Sequence, residues 1–107
     1  MSEIKLTLKS TRLSDRNYHV LLDDGTNRVE RALDDASASY AVHVVLRDYI
    51  SEFLCGAKLS IETNSNSLIR DIESLLDGEG YDKPLRRILQ RTLDDQDVEI
   101  ISVRYSK

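Results

Sequence analysis

Few residues of this chain are able to do chemistry, and their spacing limits what each can do. His19 and His43 stand far apart, with no second histidine or cysteine at ligand spacing beside either, so a zinc site has little to build on. Cys55 is the one cysteine. It closes a helical stretch, where the negative end of the helix dipole disfavours a thiolate, so no reactive nucleophile is expected. Asp23-Asp24 precede Gly25, where turn chemistry accounts for aspartate. The run "LDDQDVE" carries Asp94, Asp95 and Asp97 but lacks the glycine and terminal glutamate of a calcium loop; a solvated linker is the better reading. No Ser/His/Asp ordering and no glycine-rich phosphate loop appears. The basic run "KPLRRILQR" is more informative: at ~100° per residue, Lys83, Arg86, Arg87 and Arg91 fall within an arc of roughly 140° opposite the leucines. A solvated helix face is its ordinary meaning, and a phosphate-binding surface its functional one, although no aromatic side chains interleave to stack on bases.

The elements that must position these residues follow from periodicity. Ile4, Leu6 and Leu8 alternate with polar residues as a half-buried strand does, and the polar stretch "STRLSDRN" is expected to be a loop. "YHVLLDDGTNRVERAL" reads as a hairpin turning tightly at Asp24-Gly25. Asp35 or Ser37 is expected to cap a helix running from about Ala38 to Cys55 with a broad apolar stripe, and Gly56 to end it. Leu59, Ile61 and Thr63 alternate as a strand, after which Leu68, Ile69, Ile72, Leu75 and Leu76 follow helical spacing towards Gly78 and Gly80. At that junction, "ETNSNSLIRDI", Asn64 is expected to cap the helix by accepting from its free N–H groups. Asp82 is expected to cap a third helix with Pro84 in its first turn. The last strand, "VEIISVRY", carries apolar residues at both parities, as a strand buried on both faces would.

The order βββαβααβ resembles the ribonuclease H-like fold over nearly the whole chain: an α/β (mixed α+β) architecture with a five-stranded mixed sheet covered by helices. A ferredoxin-like or other α+β sandwich would use the same elements if the first hairpin is misplaced. The resemblance rests on element order and on "ETNSNSLIRDI", which is similar to the family's Thr-Asp-Ser strand end followed by a helix. It implies a cluster of metal-binding carboxylates, and here the sequence departs from the family. Asn64 stands where the family carries aspartate, Leu8 or Lys9 at the first-strand aspartate, and Val42 or His43 nearest the helix glutamate. The later aspartate belongs to a C-terminal helix for which no residues follow Lys107. Two Mg²⁺ ions need several converging carboxylates, so Leu8, Val42 and Asn64 read as former metal-site positions, and no metal, cofactor or catalytic residue is expected.

Composition bounds the rest. The chain has 107 residues, 40% hydrophobic and 32% charged, the profile of one globular domain spanning 1–107. A net charge of −4 argues against the whole surface binding nucleic acid. A single cysteine, no apolar run of bilayer length and no signal-peptide anatomy in "MSEIKLTLKS" are what a cytoplasmic protein without a membrane partner shows. The leading expectation is a non-catalytic domain that binds another protein or a second copy of itself. The alternative is a nucleic-acid accessory protein using Lys83, Arg86, Arg87, Arg91 and Arg104. A nuclease with relocated carboxylates, such as Glu62, Asp71 and Asp48, is the third.

Overall fold

The computed structural model describes residues 2–79 and 83–107. Its elements are β1 (Ser2–Ser14), β2 (Asn17–Asp23), β3 (Arg28–Leu33), α1 (Ala38–Phe53), β4 (Ala57–Thr63), α2 (Asn66–Leu76), α3 (Pro84–Asp95) and β5 (Glu99–Tyr105). The strands form one mixed sheet in the order β3-β2-β1-β4-β5. β1 to β3 are an antiparallel meander, while β4 and β5 run parallel to β1, as connections through helices require. Among the described residues no helix is long and apolar enough to cross a membrane.

One face of the sheet makes the core. Leu6, Leu8, Val20, Leu22, Leu59 and Ile61 are buried there against Val42, Val45, Leu46 and Ile50 of α1 and Leu68 and Ile72 of α2. Each such side chain contributes ~1.5–3 kcal/mol by leaving water. α3 packs on α1 and α2 through Leu89 and Leu93. On the other face Lys5, Thr7, Lys9, Lys58, Glu62 and Arg104 keep solvent contact, so all three helices cover the same side.

Several local expectations change. The stretch expected to loop is mostly strand: β1 continues to Ser14 and pairs with β2 around a turn at Asp15-Arg16, where Arg16 takes a left-handed φ of 61°. The turn at Asp24-Gly25 is wider than a two-residue hairpin. Residues 24–27 form it, with the Asp24 carboxylate accepting from the N–H groups of Thr26 and Asn27 and Asp24 N–H donating to Asn27 C=O. Tyr49 of α1 donates its hydroxyl to the same carboxylate at 2.6 Å and so ties turn to helix. Burial pushes the Asp24 carboxyl up, but these hydrogen bonds outweigh it and hold it below the ordinary carboxylate range. Burial and then Asp24 raise the Tyr49 phenol. α1 is capped by Ser37, as one of the two expected residues, and stops at Phe53, with Leu54 as its C-cap. α2 ends in a Schellman pattern: Gly78 N–H bonds Leu75 C=O and Glu79 N–H bonds Ser74 C=O, with Gly78 at φ 77°. The expected roles of Gly80 and Asp82 lie outside the described residues; Lys83 is the N-cap of α3, without a side-chain capping bond, and Pro84 occupies its first turn.

The last strand is not buried on both faces. Its register against β4 shifts between Leu59 and Ser60, so that Leu59 faces Ile100 and Ile61 faces Val103. Ile101 is the extra residue of this bulge, and parity changes there. Ile100 before it and Val103 after it both turn inward, while Ile101 points out at 39% exposure. Truncating Ile100 to alanine should therefore cost about 2–5 kcal/mol in urea denaturation. Ile101→Ala should cost under about 1 kcal/mol, and equal losses would return Ile101 to the inward ladder.

Candidate functional site

β1, β3, β4 and β5 run in one direction, so their carboxyl ends share an edge of the sheet, where open α/β sheets place ligands. α1 follows β3 and α2 follows β4, so both helices start at that edge. This is where the three positions set by the resemblance against metal-binding carboxylates, Leu8, Val42 and Asn64, fall. Leu8 and Val42 are in the apolar core, 0% and 1% exposed. Asn64 lies outside it and makes two hydrogen bonds to Ser10 of β1: its Oδ1 accepts from the Ser10 N–H at 2.9 Å and its Nδ2 donates to the Ser10 C=O at 3.0 Å. The side-chain amide thus continues the β1–β4 pairing past Leu8 and Thr63. It does not cap α2; Ser65 does, accepting from the Leu68 N–H. The physical difference is that Asn64 meets a backbone donor and acceptor across the sheet, which a cap would not use.

Beside this edge the first turns of the three helices border a cleft of about 360 Å³. Ser39 of α1, Ser67, Arg70 and Asp71 of α2, and Lys83 and Arg86 at the start of α3 line it. Asp71 is the anchor. Its Oδ1 accepts from Arg86 Nε at 2.7 Å and its Oδ2 from His43 Nε2 at 2.8 Å. His43 is 4% exposed, and its buried Nδ1 has no hydrogen-bond partner among the described residues. Burial lowers its pKa, and the raising influence of Asp71 does not overcome this. The contact is therefore a hydrogen bond from neutral imidazole, although its distance alone would fit an ion pair. A larger concavity, lined in part by Val29, Arg31, Asp48 and Phe53, carries the Arg31–Asp48 ion pair and no convergent reactive groups.

The basic residues expected to act together divide between different surfaces, with Arg104 apart from the four on α3. Lys83 and Arg86 meet in the cleft, Arg87 and Arg91 lie on the exposed side of α3, and Arg104 is on the uncovered face of the sheet in an ion pair with Glu62. Arg70 joins the cleft unforeseen, because only the packing of α2 on α3 brings it there. Of the relocated carboxylates, Asp71 is engaged by Arg86 and His43, Asp48 by Arg31 and Arg47, and Glu62 by Arg104. Among the described residues no group of three or more acids, histidines or cysteines is placed to hold a metal ion.

No protein-family model matches this sequence, and no curated protein matches it. Among solved structures the chain is similar to RNase H1 from the halophilic archaeon Halobacterium salinarum NRC-1. The TM-score is 0.63 at 9% identity, over 98% of this chain and 86% of that one. At such identity the likeness is one of fold: this chain has a ribonuclease H-like fold.

Two measurements test the geometry. An Asn64→Asp variant keeps the acceptor for Ser10 N–H but sets a carboxylate against Ser10 C=O, so it should lose about 1–3 kcal/mol at neutral pH. A variant as stable as the parent would remove the pairing role. For His43 the folded pKa lies below that of the unfolded chain, near 6.5. The unfolded state therefore binds the proton first, and stability should decline as pH drops through about 6.5 until the folded group titrates. Denaturant titrations of a His43→Gln variant should show a flatter slope in that window.

Proposed function

We propose that this chain is a ribonuclease H-like domain that binds without cutting, and that it holds the sugar–phosphate backbone of a nucleic-acid strand in the cleft between its helix starts. The observation that carries the reading is the convergence of Arg70, Lys83 and Arg86 with the hydroxyl-bearing Ser39 and Ser67 in one cleft. The N-terminal turns of α1 and α2 add unsatisfied N–H groups and the positive end of their dipoles, which favour phosphate. Among the described residues Asp71 is the one acid lining this cleft, and Arg86 already answers its charge. The overall charge of −4 then bears on other surfaces more than on this one.

Binding without cleavage is supported by what occupies the former metal-site positions: two core side chains and an amide committed to Ser10. With Arg86 committed to Asp71, two phosphate contacts, from Arg70 and Lys83, predict a modest affinity with a log–log salt slope of about −1.4. With no aromatic side chain among the described residues that line the cleft, little preference among bases is expected. A protein partner, the first expectation from sequence, finds less support in apolar surface. The exposed large apolar side chains, Leu13, Tyr40, Phe53, Leu76, Ile88, Ile101 and Tyr105, are spread over five elements and make no broad patch.

Fluorescence anisotropy with a labelled oligothymidine of about 15 nucleotides should show binding that weakens steeply with salt. Reversing Arg70 and Lys83 to glutamate should weaken it at least tenfold, about 1.4 kcal/mol. Arg86 is left in place because it holds Asp71. An unchanged affinity would end the cleft assignment. Cleavage of an RNA–DNA hybrid by the purified chain with Mg²⁺ or Mn²⁺ would end the claim that it does not cut.

A further inference from the structure

The far ends of α2 and α3 enclose a groove separate from the cleft at their starts. It measures about 280 Å³ and lies between the two helices and the chain entering β5. Its lining is largely aliphatic: Ile72, Leu75 and Leu76 of α2, Leu93 of α3, and Val98 and Ile100. Most of these are core side chains seen from outside, but Leu76 stands 52% exposed.

The charge around this opening is of one sign. Asp94 and Glu99 line its rim. Glu73 and Asp77 follow Ile72 and Leu76 in sequence, and Asp95 and Asp97 lie between Asp94 and Val98; all these acids are exposed. Neither helix has a base in its last turn, and both dipoles end negative here. Among the described residues none of these acids forms an ion pair. Gln90 donates to Asp94 Oδ1 at 2.9 Å, which steadies that carboxylate but leaves its charge. Arg91 comes one turn before Asp94 and Asp95, and Lys58 faces Glu99 across the β4–β5 ladder, yet neither is paired with them. Like charges thus gather where two dipoles already disfavour them, around an apolar opening that the chain leaves unfilled.

We propose that this groove docks a basic segment of a partner protein. An aliphatic side chain of the segment enters against Leu76, and lysine or arginine neighbours meet Asp94, Glu99 and the acids beside them. Charge complementarity selects this occupant: the acids that attract such a segment repel a nucleic-acid strand. A second copy is a poor fit, because the basic side chains that this chain brings together, Arg70, Lys83 and Arg86, themselves line a cleft, and two hollows do not fill each other. An apolar centre with a charged rim is the usual layering of an interface, here on a small scale, so no broad apolar patch is needed. The small contact makes the complex weak and transient, and its charges make it salt-dependent. The groove lies at the opposite ends of the helices that border the phosphate cleft, so it stands whether or not a strand binds there.

The test is a titration of the isotope-labelled whole chain with the capped peptide Lys-Lys-Leu-Lys-Lys at low salt, read by amide chemical shifts. The shifts should saturate and centre on Leu76, Leu93 and Val98, leaving Arg70 and Lys83 in place. Exchanging the peptide's leucine for alanine should weaken binding roughly tenfold, and exchanging its lysines for glutamate should abolish it. Asp94→Asn with Glu99→Gln should also weaken it roughly tenfold. That double variant should melt no lower than the parent, since like charges are removed and an amide oxygen still accepts from Gln90. Absent or non-saturating shifts, shifts centred elsewhere, a leucine-free peptide that binds equally well, or a double variant that binds as the parent does would each overturn the proposal. So would groove resonances that move with the chain's own concentration, marking a second copy, or with oligothymidine, marking a strand.

Discussion

The carboxylate of Asp71 is the interaction on which the arrangement of helices depends. One oxygen takes Arg86 of α3 and the other His43 of α1, from a position in α2 that is 17% exposed. A charge so placed needs partners, because an uncompensated buried charge costs about 3–5 kcal/mol. Both partners come from other helices, so the pairing acts on tertiary structure. It matters most for α3, which rests on α1 and α2 and has few apolar anchors of its own, chiefly Leu89 and Leu93. With Arg86 fixed, the start of α3 stays beside the start of α2, and the cleft has a defined wall.

At the sheet edge the corresponding constraint is Asn64. Parallel pairing of β1 with β4 ends at Leu8 and Thr63, leaving Ser10 to find partners beyond it. An amide supplies both a donor and an acceptor in one plane and satisfies the N–H and the C=O of Ser10 together. A carboxylate supplies acceptors alone. An asparagine here therefore does more than remain neutral: its paired donor and acceptor lengthen the sheet. Leu8, two residues before Ser10 on β1, is closed off in the core.

Much of this was legible in the residues. Alternation located β1 and β4, the broad stripe from Ala41 to Ile50 located α1, and the order of elements pointed to the fold. What was missed has physical causes. The second half of β1, "STRLS", is polar because it pairs with β2 beyond the core, where no apolar period is needed. In β5 one extra residue, Ile101, reverses the parity, and a bulge imitates two-sided burial. Asn64 and Ser65 are both good capping residues, and only Ser10, far away in sequence, decides between them. Arg70 carries no local signal at all. Its role depends on where α3 starts.

Charge placement, rather than net charge, is what this fold controls. Four strands of one direction share an edge to which two of them bring helix starts, and Asp71 adds the start of α3, so cations gather there while the sum over the chain remains −4. The acids of α3 lie at its other end, where the dipole disfavours them. A short helix thus pays in local stability for a polarity that its own core does not use.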